Sequence, residues 1–294
     1  MIQNSFIMLD KVDYKTEQNI WNQGIYNWDA FLNAQKIKGI SHMRKAYYDR
    51  QLLKARNALY DSDFSYFIDK LPQSEMWRLY EYFKDECVFL DIETSGVSDK
   101  ADIVVVGLFD GLDTKTMIKD INLDFYSLKR ELAKYKLIVT FNGSTFDIPF
   151  IKKRYPDLLP NIPNFDLRVA CSRVGLTGGL KEIEKKLGIR RNNIIEKMYG
   201  GDPLLLWRMF RASGDDYYLN LLVEYNEEDV FNLKKIADYV YNILKKNTLN
   251  SKNGKFLTTT EAGDGHFSDK KCPTRDSDGA NPPIVSANVV KNFI

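Results

Sequence analysis

Between residues 87 and 141 the chain carries three short apolar runs, Val88–Glu93, Ile103–Phe109 and Leu137–Phe141, rich in β-branched and aromatic side chains. Runs of this length, bounded by turn residues, read as strands rather than helices. Lys115–Ile121 reads as a further strand, paired with Ile103–Phe109 across the Asp110–Thr114 turn. Phe125–Tyr135 has helical character, Phe146–Arg154 begins another helix, and a short strand near Asn164–Phe165 leads into more helices. Leu219–Leu244 sustains an apolar stripe at helical spacing, with Asn226 as a polar break in it. Such alternation predicts an α/β domain over residues 87–250, a mixed sheet flanked by helices.

Residues 1–86 read as a separate, mostly helical region, with apolar periodicities at Lys15–Gln23, Trp28–Asn33 and His42–Leu59. Pro72 opens a further short helix carrying Trp77, Tyr80 and Phe83. Residues 251–294 turn to Gly, Ser, Asp, Asn, Thr and Pro, a composition expected to be disordered. Three cysteines with no C-x-x-C pair, and two histidines, exclude a disulfide framework, a zinc site and a histidine-based triad. The N-terminus lacks a signal-peptide pattern and no apolar run approaches membrane-spanning length, so a cytoplasmic location is the default expectation. Formal net charge is only +2, but it is unevenly spread. Residues 87–147 carry −3, residues 148–199 carry +6 and residues 200–250 carry −2.

Chemistry concentrates in three places. In Asp91-Ile92-Glu93, positions i and i+2 of a strand project to one side of the sheet. Two carboxylates held together amid apolar neighbours repel each other unless a cation lies between them, and oxygen-only ligands suit Mg²⁺ or Mn²⁺. The second is Phe141-Asn142-Gly143-Ser144-Thr145-Phe146-Asp147, a tight turn at a strand end with Asp147 at the following helix start. Capping alone accounts for an acid there, although the two bracketing rings offer faces for stacking a base. The third is Tyr225-Asn226-Glu227-Glu228-Asp229, where i and i+4 spacing puts Tyr225 and Asp229 on one helix face. Glu227 and Glu228 are expected to point elsewhere, into solvent.

D-x-E on a strand, N-G-x-x-F-D at a strand–helix junction and Y-x-x-x-D on a helix, in that order, resemble the DEDDy group of 3′–5′ exonucleases. That group belongs to the DnaQ-like branch of the ribonuclease-H-like superfamily. GGLKEIEKKLGIRR (178–191) and YNEEDVFNL (225–233) are similar to the YprB-type ribonuclease-H-like proteins. The resemblance spans roughly residues 88–244 and implies a ribonuclease-H-like fold. It further implies two divalent cations, Mg²⁺ or Mn²⁺, held by Asp91, Glu93, Asp147 and Asp229, with Tyr225 orienting the attacking water. Thr94, Asn142, Phe146 and Lys181 fall on the substrate side, and the implied substrate is the 3′ end of single-stranded DNA or RNA. The leader Leu9–Thr16 resembles the same group's helix-hairpin-helix-like start, but Lys11 and Asp13 replace the glycines that would present backbone N–H groups to phosphate. Packing, with Trp21 and Trp28, is the role expected of it.

Lys152, Lys153, Arg154, Lys181, Lys185, Lys186, Arg190 and Arg191 are the expected phosphate contacts, against a simpler reading as solvated helix faces with pairs such as Glu182–Lys186. Asp166 reads as a helix cap, not a ligand. Two other functions compete with an exonuclease: a catalytically idle nucleic-acid-binding module of the same fold, and a ribonuclease-H-type endonuclease.

Overall fold

The computed structural model describes residues 1–96, 101–191 and 202–250; the tail expected to be disordered, 251–294, lies outside them. Five strands form one sheet in the order β3-β2-β1-β4-β5. They are β1 (Cys87–Thr94), β2 (Ile103–Phe109), β3 (Thr114–Ile118), β4 (Leu137–Thr140) and β5 (Asn164–Asp166). β1 pairs antiparallel with β2 and parallel with β4; β2 and β3 are antiparallel, β4 and β5 parallel. β1 is therefore the central strand, flanked on both edges and held along most of its length.

Alternation along β1 sorts its side chains between two apolar clusters. Val88, Leu90 and Ile92 pack with Leu128 and Leu132 of helix α5 (Phe125–Leu132) and Ile151 of α6 (Asp147–Arg154). Cys87 and Phe89 pack on the opposite side with Val230, Leu233, Ile236 and Val240 of a 35-residue helix, Asp216–Asn250. Asp91 and Glu93 continue the second set, so strand geometry aims both carboxylates at the long helix. A register irregularity between Glu93 and Thr94 ends the regular pairing with β2 just beyond the two acids.

The remaining helices are α1 (Tyr14–Trp21), α2 (Trp28–Asn33), α3 (His42–Tyr60) and α4 (Ser65–Ile68) in the leader, then α7 (Leu167–Arg173), α8 (Leu180–Lys186) and α9 (Pro203–Ser213); the long helix is α10. Asp13, Asn27 and Ser41 cap the first three through side-chain acceptors for the backbone N–H three residues on. The helix expected after Pro72 is a 3-10 turn over Gln73–Leu79. Every residue from Glu75 to Leu79 is buried, so tertiary contacts on all sides, rather than an amphipathic face, set its geometry.

Residues 1–86 share one apolar cluster with the α10 face of the sheet, running from Ile2, Phe6 and Trp28 through Trp77 and Tyr80 to Phe165 and Tyr241. Trp21 and Trp28 are buried, and their indole N–H groups donate to the Asn4 and Ser5 carbonyls. An ion network is buried with them. Arg78 donates twice to Glu17 (2.8 and 2.9 Å) and once to Glu75, and Arg173 of α7 donates to Glu75 at 2.7 Å. Arg78, Glu17 and Glu75 are all at most 1% exposed, so each charge depends on its partners for solvation. Arg78→Met strands Glu17 against the core; it is expected to lower the free energy of unfolding, measured by urea titration, by about 3–5 kcal/mol.

Candidate functional site

Asp91 and Glu93 meet α10 at Asp229. Ligand oxygens of Asp91, Glu93 and Asp229 all lie within 4.8 Å of one another. The first two are half-buried, while Asp229 is 5% exposed. What lets α10 approach so closely is the residue opposite Asp91 in the ladder, Gly107 of β2. A Cβ there would stand 2.1 Å from the side-chain oxygen of Asn226, which is fully buried against the strand. From that position the Asn226 amide donates to Asp91 Oδ2 at 3.1 Å, orienting the carboxylate. Asn226 Oδ1 has no hydrogen-bond partner among the described residues.

Asp147 enters from the other side of β1. After β4 the chain turns through Asn142, which takes a left-handed φ of 68°, and Gly143, where a Cβ would collide with the Thr140 side chain at 2.2 Å. The Asp166 carboxylate holds the turn, accepting from the Asn142 and Ser144 backbone N–H groups (both 2.9 Å) while capping α7 through Arg168 N at 3.0 Å. Asp166 is thus the expected cap, with a second task as a turn anchor. The turn delivers Asp147 to β1, where its Oδ1 accepts the Ile92 N–H at 3.2 Å. Asp147 is 4% exposed, and its charge acts on both Asp91 and Glu93.

The four acids are short of positive charge. Loss of hydration, then repulsion from Asp229, pushes Asp91 well above the ordinary carboxylate range; the same causes carry Glu93 up to about 8. Burial raises Asp147 to about 7, against donation from its own and the Ile92 backbone N–H. Burial also raises Asp229, to about 6, with Arg191 working in the opposite sense. Arg191 forms an ion pair with Asp229, and the Tyr225 ring has two cations close to it. The Lys181 ammonium is 5.1 Å and the Arg191 guanidinium 5.7 Å from its ring centroid. Burial and then Asp229 raise the Tyr225 phenol, which keeps its proton throughout the working range. A set of carboxylate oxygens with no nitrogen or sulfur ligand, crowded and half-deprived of water, fits a hard divalent cation.

The sequence profile of the RNase H superfamily matches residues 88–241. The chain belongs to the RNase H superfamily. Among solved structures, the family B DNA polymerase of the hyperthermophilic archaeon Pyrobaculum calidifontis is similar over 55% of this chain and 25% of the polymerase chain, with 15% identity and a TM-score of 0.44. The chain thus spans a quarter of that polymerase's length. No curated protein matches.

In this RNase H chain Asp91, Glu93 and Asp229 meet, Asp147 lies outside that trio and is held on the Ile92 N–H, and the residues expected on the substrate side are more dispersed. Thr94 ends β1 with its hydroxyl donating to the Gly96 carbonyl at 2.7 Å. Asn142 is engaged in its own turn, its side-chain oxygen accepting from Thr145 Oγ1 (2.7 Å) and Arg168 Nη1 (2.9 Å). Phe146 is half-buried against the α5–α6 cluster and Phe141 against the α10 cluster, so the two rings belong to opposite sides of the sheet. Of the basic stretch, Lys181 and Arg191 reach the acids; Arg154 pairs instead with Asp102, and Lys186 donates to the Thr177 carbonyl rather than meeting Glu182. Glu227 is not solvated as expected: it is half-buried and accepts from Thr114 Oγ1 at 3.3 Å, because β3 runs beneath this turn of α10.

Asn226, Glu184 and Asp202 carry site roles that sequence reasoning missed. Asn226 had a signal, a polar residue where the stripe calls for an apolar one. Asp202 caps α9 through the Leu204 N–H and adds its negative charge to Glu93. Gly107→Ala is expected to displace Asn226 and lower stability by about 1–3 kcal/mol, with a fall in Mn²⁺ affinity measurable by calorimetry. A second expectation concerns pH. Unfolded, Asp and Glu ionise near 3.8 and 4.5, whereas the folded site retains protons up to about 8. The folded state therefore binds more protons between these limits, so metal-free protein loses stability as pH rises from about 4 to 8. Melting temperatures in chelator should fall over that interval, and Mg²⁺ should restore most at its upper end.

Proposed function

We propose that the protein is a metal-dependent 3′–5′ exonuclease that hydrolyses phosphodiester bonds at the 3′ end of single-stranded DNA or RNA. The observation that carries this reading is the meeting of Asp91, Glu93 and Asp229 within 4.8 Å, with Asp147 and Tyr225 against them. Membership of the RNase H superfamily supports nuclease chemistry, and the order of the D-x-E, N-G-x-x-F-D and Y-x-x-x-D motifs supports the 3′–5′ direction. Asp91, Glu93, Asp147 and Asp229 are the residues that would hold two ions, Mg²⁺ or Mn²⁺.

Bound there, such ions supply positive charge against the scissile phosphate and lower the pKa of the attacking water. The chain's own groups do the rest. Asn226 holds the Asp91 carboxylate in place, and the Ile92 N–H does the same for Asp147. The Tyr225 hydroxyl, protonated at working pH, offers a hydrogen bond that aligns the water without taking its proton. Lys181, over the Tyr225 ring, places a cation where the substrate backbone passes.

The test is incubation of purified protein with 5′-labelled single-stranded DNA and RNA in Mg²⁺ or Mn²⁺. A ladder shortening from the 3′ end supports the proposal. Retained binding without cleavage points to an idle module, and an internal cut in a hybrid to an endonuclease; either outcome defeats it. Asp91→Asn and Asp229→Ala should abolish cleavage. Tyr225→Phe should slow it by about 10²-fold, since it removes orientation and leaves every carboxylate in place.

A further inference from the structure

Arg191 lies just beyond α8, and its side chain is 10% exposed. Its guanidinium is anchored on Glu184 through two N–H groups, Nε to Oε2 and Nη2 to Oε1 (2.7 Å). Glu184 is itself 1% exposed and is fixed from α10 by the Asn232 side-chain amide at 3.0 Å. The same Nη2 also reaches Asp229, and the guanidinium faces the Tyr225 ring. Nη1 is buried and has no hydrogen-bond partner among the described residues.

Two features of this arrangement call for explanation. Asp229 takes a single Nη2 hydrogen bond from a guanidinium that Glu184 already holds through two, so Arg191 keeps its place if Asp229 turns away. A buried N–H pair without an acceptor is unfavourable, and a structural ion pair built for its own sake would not leave one. Both are accounted for if the acceptor arrives with the substrate. A guanidinium presents parallel N–H groups that match phosphate oxygens, whereas the ammonium of Lys181 offers only a point charge.

We propose that Arg191 is a placeholder cation: it holds Asp229 in the metal-free protein and becomes a ligand of the substrate phosphate once a divalent cation takes that carboxylate. The proposal rests on the metal-dependent nuclease reading. Cation and guanidinium compete for Asp229, and the competition leaves Arg191 with three N–H hydrogens free of an acceptor, two on Nη1 and one on Nη2, beside the incoming phosphate. The site thereby keeps a compensating charge among its carboxylates at every stage. Glu184 and Asn232 are positioning residues for it.

The competition gives Arg191→Gln opposite effects on two binding equilibria. Calorimetry with Mn²⁺ alone should show the variant binding about tenfold more tightly than wild type, because a charge-assisted rival for Asp229 is gone. A fluorescein-labelled single-stranded oligonucleotide with 3′ phosphorothioate linkages, measured in saturating Mn²⁺, should bind about tenfold more weakly. Its plot of log affinity against log salt should become shallower by about 0.7, the loss of one phosphate contact on a single strand. Weaker Mn²⁺ binding by the variant, or an unchanged oligonucleotide slope, overturns the proposal and leaves a structural ion pair. Should Arg191→Gln fail to show a cooperative melt, the double variant Glu184→Gln/Arg191→Gln, which removes the guanidinium together with the carboxylate that anchors it, carries the same expectations. Wild type that binds neither Mn²⁺ nor the oligonucleotide sinks the nuclease reading and this proposal together. Wild-type binding unchanged by the substitution sinks this proposal alone.

Discussion

Like charges crowded out of water dominate this molecule. Asp91, Glu93, Asp147 and Asp229 come from a strand, a helix start and a long helix; burial raises each above the usual carboxylate range, and repulsion from other members of the set adds to it for Asp91 and Glu93. Holding such a set together requires a rigid support. The support is the centre of the sheet: β1 is paired on both edges, and apolar clusters press on its two faces. Arg191 and Lys181 bring positive charge close to the set, Lys181 from the start of α8 and Arg191 from just beyond its end.

Close approach is the second requirement, and small residues meet it. Gly107 leaves room for Asn226, and Asn226 in turn converts the contact between β2 and α10 into a hydrogen bond on Asp91. Gly143 makes the same allowance for Thr140 in the turn that delivers Asp147. In both places the space of a missing Cβ is used to position a carboxylate one layer away. The leader adds mass to this frame from behind, through an apolar cluster continuous with the α10 face and the buried pairs of Arg78 with Glu17 and Glu75.

Much of this was legible without coordinates. Apolar runs and their spacing located all five strands, Trp28–Asn33 was read to the residue, and α10 was located by its stripe, which understated its ends. The D-x-E and Y-x-x-x-D patterns were legible because each lies within a single element, where period 2 or 3.6 dictates which side chains share a face. Glu227 and the Glu182–Lys186 pair were misread for the converse reason. Their partners, Thr114 and Thr177, come from other elements or loops, and no local period refers to them. The 3-10 turn after Pro72 escaped likewise, since burial on every side erases the amphipathic signal.

Sequence alone determined most element types, the strand with its two acids on one side, and the shared helix face of Tyr225 and Asp229, because all of these follow from backbone periodicity. Only the tertiary structure decided that Asp91, Glu93 and Asp229 lie within 4.8 Å, that Asn226 belongs to Asp91, and that Arg191 belongs to Asp229 and Glu184. Arg191 and Glu184 are 7 positions apart, Arg191 and Asp229 38, and Asn226 and Asp91 135, the last contact depending also on the side chain that Gly107 lacks. Attraction and repulsion between charges depend on distance in space, which a chain acquires only when its elements pack.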